Sequence, residues 1–177
     1  MIAIIAEKPS VGQEIARVVG ATEKKDGYMV TWALGHLVSL ALPGTYGYTR
    51  TTAEDLPMLP EPFRLVERQI RTDRGMVTDI AAGKQLKIID EVFSKCDSII
   101  VATDAGREGE LIFRWIYSHL GCTKPFKRLW ISSLTDEAIR KGMADLREGH
   151  EYDSLYAAAD SRAKADWLVG VELYVRS

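Results

Sequence analysis

Two short apolar runs, each followed at once by acid, frame this chain. Ile2 to Ala6 is a continuous isoleucine-rich run, and Ser98 to Ala102 is a second. Continuous apolar runs of this length predict strands buried on both faces, as in a parallel sheet. After the first, Pro9 stops the strand and Ser10 with Gln13 forms a capping-box pattern for a helix striped by Ile15, Val18 and Val19. Gly20 is placed to end that helix. After the second, Leu111, Ile112, Trp115 and Ile116 recur at helical spacing and Gly121 closes the helix.

Between these units the pattern weakens. Tyr28 to Leu34 and Leu37 to Leu42 predict extended segments split by Gly35-His36, and Phe63 to Val66 a further short strand. Residues 43 to 62 hold four prolines and two glycines, which predicts a long irregular loop. Residues 67 to 77 are charged and show no clear period. A helix is predicted from Thr78 to Ser94, with Ile80, Leu86, Ile89, Val92 and Phe93 inward. Lys127 to Ile131 predicts a third strand; Ser133 or Thr135 then caps a helix reaching Leu146, and Tyr152 to Leu173 predicts a last, longer helix. The alternation of strand and helix predicts an α/β fold with a mainly parallel sheet flanked by helices, followed by the start of a helical domain.

Composition narrows the classes. At 177 residues and 46% apolar, the chain can bury a real core. The net charge of -2 excludes a partner held by bulk positive charge, so any nucleic-acid contact must come from local basic clusters. Cys96 and Cys122 are far apart, which argues against a zinc site or a disulfide scaffold. The N-terminus is charged too early for a signal peptide, and no run reaches the ~20 apolar residues of a membrane span. A cytoplasmic protein is expected.

The chemistry concentrates in Asp104-Ala105-Gly106-Arg107-Glu108-Gly109-Glu110, at the carboxyl end of a buried strand, where ligands bind in open α/β sheets. Like charges about 4 Å apart repel by roughly 1 kcal/mol in water and about 4 kcal/mol at an effective dielectric near 20. Arg107 relieves part of this repulsion and a divalent cation can relieve the rest; Mg²⁺ binds through one or two carboxylates plus a phosphate. If the two buried strands are neighbours, Glu7 and Asp104 emerge at one edge, with Lys8 and Arg107 supplying positive charge for a phosphodiester. Metal-binding acids, an acid for proton transfer and phosphate-binding cations suit phosphoryl transfer. The plainer reading is that acids in a first helical turn only complement the helix dipole.

Glu7-Lys8-Pro9-Ser10 followed by Thr103-Asp104-Ala105-Gly106-Arg107-Glu108-Gly109-Glu110 resembles the Toprim domain of type IA DNA topoisomerases, nearest the topoisomerase III branch. Gly35-His36-Leu37, Trp130-Ile131-Ser132-Ser133-Leu134-Thr135 and Ala165-Asp166-Trp167-Leu168-Val169-Gly170 match further segments in order. The resemblance implies a Rossmann-like Toprim domain over 1–135 and a helical segment over 136–177 leading into the next domain. It implies catalytic roles for Glu7, Lys8, Arg107 and His36, and DNA-binding roles for Lys8, Arg107, Arg162 and Asp166. It implies Mg²⁺ held by Asp104, Glu108 and Glu7. The implied partners are a single-stranded DNA segment and the remaining domains of the same enzyme, including the tyrosine nucleophile; no membrane partner is expected. The family's middle acid is replaced by Gly106, so a single weakly held Mg²⁺ is expected, with water or Glu110 filling in. Tyr48-Thr49-Arg50-Thr51 imitates the nucleophile's surroundings but sits where the family has none. Competing readings are another Toprim enzyme, such as a primase or nuclease, and a Mg²⁺-binding signalling domain phosphorylated on Asp104.

Of the remaining residues, Trp32, Trp115 and Trp130 fall on apolar positions and are expected in the core. Trp167 is open between base stacking and helix packing. Arg64, Arg68, Arg71, Arg74, Lys124, Lys127 and Arg128 are open between a solvated face and DNA contact.

Overall fold

The computed structural model describes residues 1–20, 27–48 and 52–176. The chain runs β1 (Ile2–Ala6), α1 (Pro9–Val19), β2 (Tyr28–Trp32), β3 (Val38–Leu40), β4 (Leu65–Glu67), β5 (Gln69–Thr72), β6 (Gly75–Thr78), α2 (Ile80–Lys95), β7 (Ser98–Ala102), α3 (Arg107–His119), β8 (Phe126–Arg128), α4 (Asp136–Ala144), β9 (Arg147–Glu148) and α5 (Asp153–Arg176). The main sheet has the order β2-β1-β7-β8-β9. The first four strands are parallel and β9 is antiparallel. β1 lies inside the sheet between β2 and β7, which explains its apolar run: Ala3, Ile4, Ile5 and Ala6 are fully buried.

Side chains alternate across the sheet, so each buried strand feeds two cores. Ala3, Ile5, Ile99 and Val101 pack with Leu86, Ile89 and Phe93 of α2 and with Leu111, Phe113 and Ile116 of α3. Ile4, Ile100 and Ala102 pack with Ile15 of α1 and Ile139 of α4. α5 lies on the α2–α3 side, where Trp115 Nε1 donates to Asp160 Oδ1 at 2.9 Å. Its Trp167 donates to the carbonyl of Ala41 at 3.0 Å and meets Phe63 and Tyr46 edge-on. Trp167 is therefore a packing residue.

Several local expectations are corrected. Ser10 is not the cap of α1: Lys8 holds that position without a side-chain bond, and Pro9 occupies the first turn, where its missing N–H costs nothing. Asp79 caps α2 by accepting from the amide of Ala81, which leaves Ile80 74% exposed rather than inward. Thr135, not Ser133, caps α4, which stops at Ala144 before Leu146. The strand expected to Ile131 ends at Arg128, and Trp130 is 39% exposed with its ring stacked on Tyr152 at 4.7 Å. Residues 69–78 form an antiparallel hairpin, β5–β6, that lies outside the main sheet. The segment beyond residue 135 is not purely helical, because β9 pairs with β8. Thr49, Arg50 and Thr51 of the tyrosine-containing imitation lie outside the described residues. Cys96 is buried and Cys122 half-buried, both as free thiols. Among the described residues no helix is long and apolar enough to cross a membrane.

Candidate functional site

The register of the central strands builds the site. Ala6 pairs with Ala102 across β1 and β7, so both strands stop at one level and their next residues leave the same edge. Glu7 and the acidic loop meet there: the Asp104 amide donates to Glu7 Oε1 at 3.2 Å. The two carboxyl groups lie within reach of one another. Burial is the main cause that pushes the Glu7 carboxyl above its ordinary value, and the Asp104 charge adds to it. The Asp104 amide and the Lys8 charge pull the other way without cancelling it.

The loop that carries Asp104 is closed by two glycines and a hydroxyl. Thr103 Oγ1 donates to the carbonyl of Gly109 at 2.8 Å inside the protein. A Cβ on Gly109 would lie 1.8 Å from the Asp104 carbonyl oxygen, so only glycine lets α3 approach the loop. Gly106 precedes α3 with φ 151° and ψ -179°, a backbone region that is essentially glycine's own. Hence the family's middle acid finds no easy place here.

The helical turn then divides the remaining acids. Glu108 is exposed and pairs with His36 Nε2. His36 in turn packs against Trp115, ring centroids 6.0 Å apart. Its segment is held by Arg68, whose Nη1 donates to the carbonyl oxygens of Leu34 and His36 at 2.8 and 3.4 Å, while Nε donates to Asp79. Two positions on, Glu110 is 2% exposed. It receives Arg114 Nε at 3.2 Å on one oxygen and lies 2.8 Å from Arg128 Nε on the other. The Arg128 contact is an ion pair without a well-aligned N–H, since that nitrogen has no hydrogen-bond acceptor in line. The rest of the Arg128 guanidinium donates to the carbonyls of Val101, Thr103 and Asp104 at 3.1, 2.6 and 2.8 Å. Burial pushes this guanidinium below its ordinary range and the Glu110 charge opposes that.

The expected ligands are thus only partly assembled. Glu7 and Asp104 stand together, Glu108 is engaged by His36, and Glu110 is withdrawn into its arginine cage and does not fill in for the missing acid. Among the described residues no three His, Cys, Asp or Glu side chains converge as a ready metal cage. The exposed Asp104 and half-buried Glu7 carboxylates still fit Mg²⁺, which commonly takes one or two carboxylates and keeps waters for a phosphate to replace.

The expected cations lie next in the chain: Lys8 follows Glu7, and Arg107 opens α3. Lys8 and Arg107 are exposed, and among the described residues neither side chain makes a hydrogen bond or ion pair. Arg107 and Glu108 share a cleft of about 280 Å³ with Arg162 and Asp166, which project from α5. Sequence reading missed Arg128 as the organiser of the loop and Arg114 as the second cation on Glu110. The available signal was an arginine inside the apolar stretch Phe126 to Ile131, where a solvated charge does not belong. Lys124, left open between solvent and DNA, instead caps the end of α2 by donating to the carbonyls of Phe93 and Cys96 at 2.6 and 2.5 Å.

A family model for the Toprim domain matches residues 2–134. The chain is similar to the DNA topoisomerase 3 of Bacillus subtilis (strain 168), 47% identical over 178 residues, and to that of Bacillus cereus (strain ATCC 10987 / NRS 248), 49% over 179. Each match covers 95% of this chain and 23% of the relative, so the chain spans about a quarter of the length of these relatives. Among solved structures, full-length topoisomerase I from Thermotoga maritima is similar in fold at a TM-score of 0.52 and 20% identity, over 82% of this chain and 21% of that one. With the matched residues running from β1 through the acidic loop to the end of the β8–α4 connection, the chain belongs to the Toprim domain family.

Proposed function

We propose that this chain supplies the Mg²⁺-binding and acid–base groups of a type IA DNA topoisomerase that cleaves, passes and rejoins single-stranded DNA in the cytoplasm. The observation that carries this reading is the β1–β7 register, which sets Glu7 beside Asp104, with the exposed residues Lys8 and Arg107 in the segments that follow them. The similarity to proteins named DNA topoisomerase 3 supports the substrate. In this reading residues 1–135 are the Toprim domain and 136–177 lead toward the helical part of the enzyme.

The strand enters along the α5 cleft, where Arg162 and Arg107 meet its phosphates and Asp166 lines the same wall as Arg162. Lys8 holds the reacting phosphate. A tyrosine from outside these 177 residues gives its phenol proton to water and attacks phosphorus; the bond from phosphorus to the departing deoxyribose oxygen breaks, and Glu7 gives that oxygen its proton. The raised affinity of Glu7 for protons suits it to begin the step protonated. Religation reverses the step: Glu7 takes the proton back as the deoxyribose oxygen attacks and the tyrosine leaves. Asp104 would hold Mg²⁺, with Glu108 joining once it leaves His36 and Glu7 joining only in its ionised form, after its proton has gone to the deoxyribose oxygen. The ion when bound offsets charge on the phosphate oxygens.

The test is single-stranded DNA binding by the chain at low salt, with Mg²⁺ and with a chelator, read by fluorescence anisotropy. Arg107→Ala and Arg162→Ala are expected to weaken binding and flatten its salt dependence, while Asp104→Asn removes the effect of Mg²⁺. The 177 residues alone are expected not to relax supercoiled DNA. Labelling of Asp104 by acetyl phosphate, or no DNA binding at low salt, would overturn the reading.

A further inference from the structure

A second cleft, about 420 Å³ in volume, opens at the same sheet edge but on the opposite face from α5. One wall is α1, through Val11 and Ile15; the facing wall is the β8–α4 connection, through Ile131 and Leu134. Asp104 lines the cleft, and so do Ser132 and Ser133, whose hydroxyls make no hydrogen bond among the described residues. Leu134 stands at the mouth 43% exposed, an apolar side chain left in water. The walls belong to the α1–α4 core, whereas the Arg107–Arg162 cleft belongs to the α3–α5 side. The loop from Asp104 to Glu108 is therefore the ridge between two clefts: its first residue lines one and its last lines the other.

Resting on the function proposed above, we infer that this α1–α4 cleft receives a nucleoside of the DNA strand, on the far side of the reacting phosphate from the α5 cleft. A strand that lies in the α5 cleft and crosses the Glu7–Asp104 pair is delivered to this opening. Facing apolar walls suit the flat faces of a base, and unbonded hydroxyls at the rim suit its polar edge. Ligand sites are of this kind, mostly apolar with a few placed polar groups, and this volume falls in their usual range. Among the described residues that line the cleft none is a cation able to grip a phosphate, so the cleft recognises the base rather than the backbone.

The experiment walks a single abasic site along a short single-stranded oligonucleotide and measures the affinity of the unaltered chain for each. Stacking of a base on an aromatic side chain contributes a factor of roughly 5 to 200, and enclosure between the aliphatic walls of this cleft belongs toward the low end of that range. One abasic position is therefore expected to weaken binding about tenfold. Ser133→Trp fills the mouth from an exposed position and Val11→Phe narrows the opposite wall. Each is expected to weaken the intact strand about tenfold and to abolish the penalty at that abasic position, while leaving the thermal unfolding midpoint unchanged. An iodouracil placed at that position of an otherwise intact strand should photocrosslink to the 131–134 segment of the unaltered chain. Equal losses for intact and abasic strands in both variants, or crosslinks confined to α5, would overturn the cleft assignment while leaving the DNA reading in place. An unaltered chain that binds no strand at low salt would overturn both.

Discussion

Asp104 and Glu110 carry the same charge, lie six residues apart and meet opposite fates. Asp104 faces solvent beside another carboxyl group, with its amide rather than a cation as the link to Glu7. Glu110 is enclosed by Arg114 and Arg128. The contrast separates two uses of an acid. An acid meant to bind something is left short of positive charge, so that a ligand completes it. An acid meant to hold the fold is fully partnered and gains nothing from a ligand. Arg128 joins the two uses, since one guanidinium neutralises Glu110 and binds the carbonyls of Thr103 and Asp104. The buried acid thereby fixes the backbone that presents the exposed one.

The largest effect should come from breaking the enclosed end. Glu110→Ala leaves Arg128 charged and buried without its counter-ion, a change that costs about 3–5 kcal/mol. For a domain of this size that lowers the melting temperature by roughly 10 °C. Replacing both partners, Glu110→Leu with Arg128→Met, should recover much of the loss in stability but not the position of Asp104, so Mg²⁺ binding should stay weak. Recovery of both together would show that the arginine does not organise the loop. The next effect concerns the family's missing acid. Gly106→Asp meets no atom within 4 Å of the new Cβ, but it forces φ 151° on a residue with a side chain, at about 1–3 kcal/mol. Denaturant titration would read this, and an unchanged midpoint would remove the backbone explanation for Gly106.

How much of this was legible beforehand differs between the two ends. The buried strands and the edge they share announce themselves, because a continuous apolar run ending in Glu7 or Asp104 has few other readings. The pairing of Glu7 with Asp104 followed from assuming that β1 and β7 are neighbours, and they are. Glu110 could not be sorted from Glu108 by charge alone; two helical positions amount to about 200° of rotation, and only the location of Arg128 on β8 decides which side is buried. The β5–β6 hairpin was invisible for the converse reason. It packs neither face closely against the main sheet, so Ile70, Met76 and Val77 are all partly exposed and no alternation betrays the strands. His36 was placed near the site by resemblance, and its contact with Glu108 gives the placement a physical form.

A smaller effect tests the exposed end. Burial and Asp104 raise the Glu7 pKa, so the folded state holds a proton that the unfolded state has released. Stability without metal should therefore decline as pH rises from the ordinary carboxylate value through the raised one. Glu7→Gln should remove that decline and be the more stable protein at neutral pH without Mg²⁺, with the order reversing when Mg²⁺ is added. A wild-type chain whose stability is flat across that window would mean Glu7 is not strained by its neighbour.

The smallest effect belongs to a surface pair that behaves oppositely. Arg17 bridges Glu14 on its own helix and Asp136 at the start of α4, 2.5 Å from the latter's Oδ1. The guanidinium holds the Asp136 carboxyl below its ordinary value. Its contribution is therefore complete above the ordinary carboxylate pKa and is lost only as pH falls through the lowered one, the reverse of Glu7. Both groups are solvated, and exposed pairs contribute little and are screened by salt. Arg17→Ala should shift the melting temperature least of all these variants, and the shift should vanish in high salt, whereas the Glu110→Ala loss should persist there. A salt-insensitive loss in Arg17→Ala would mean that its aliphatic stem, not its charge, joins α1 to α4, since packing is not screened.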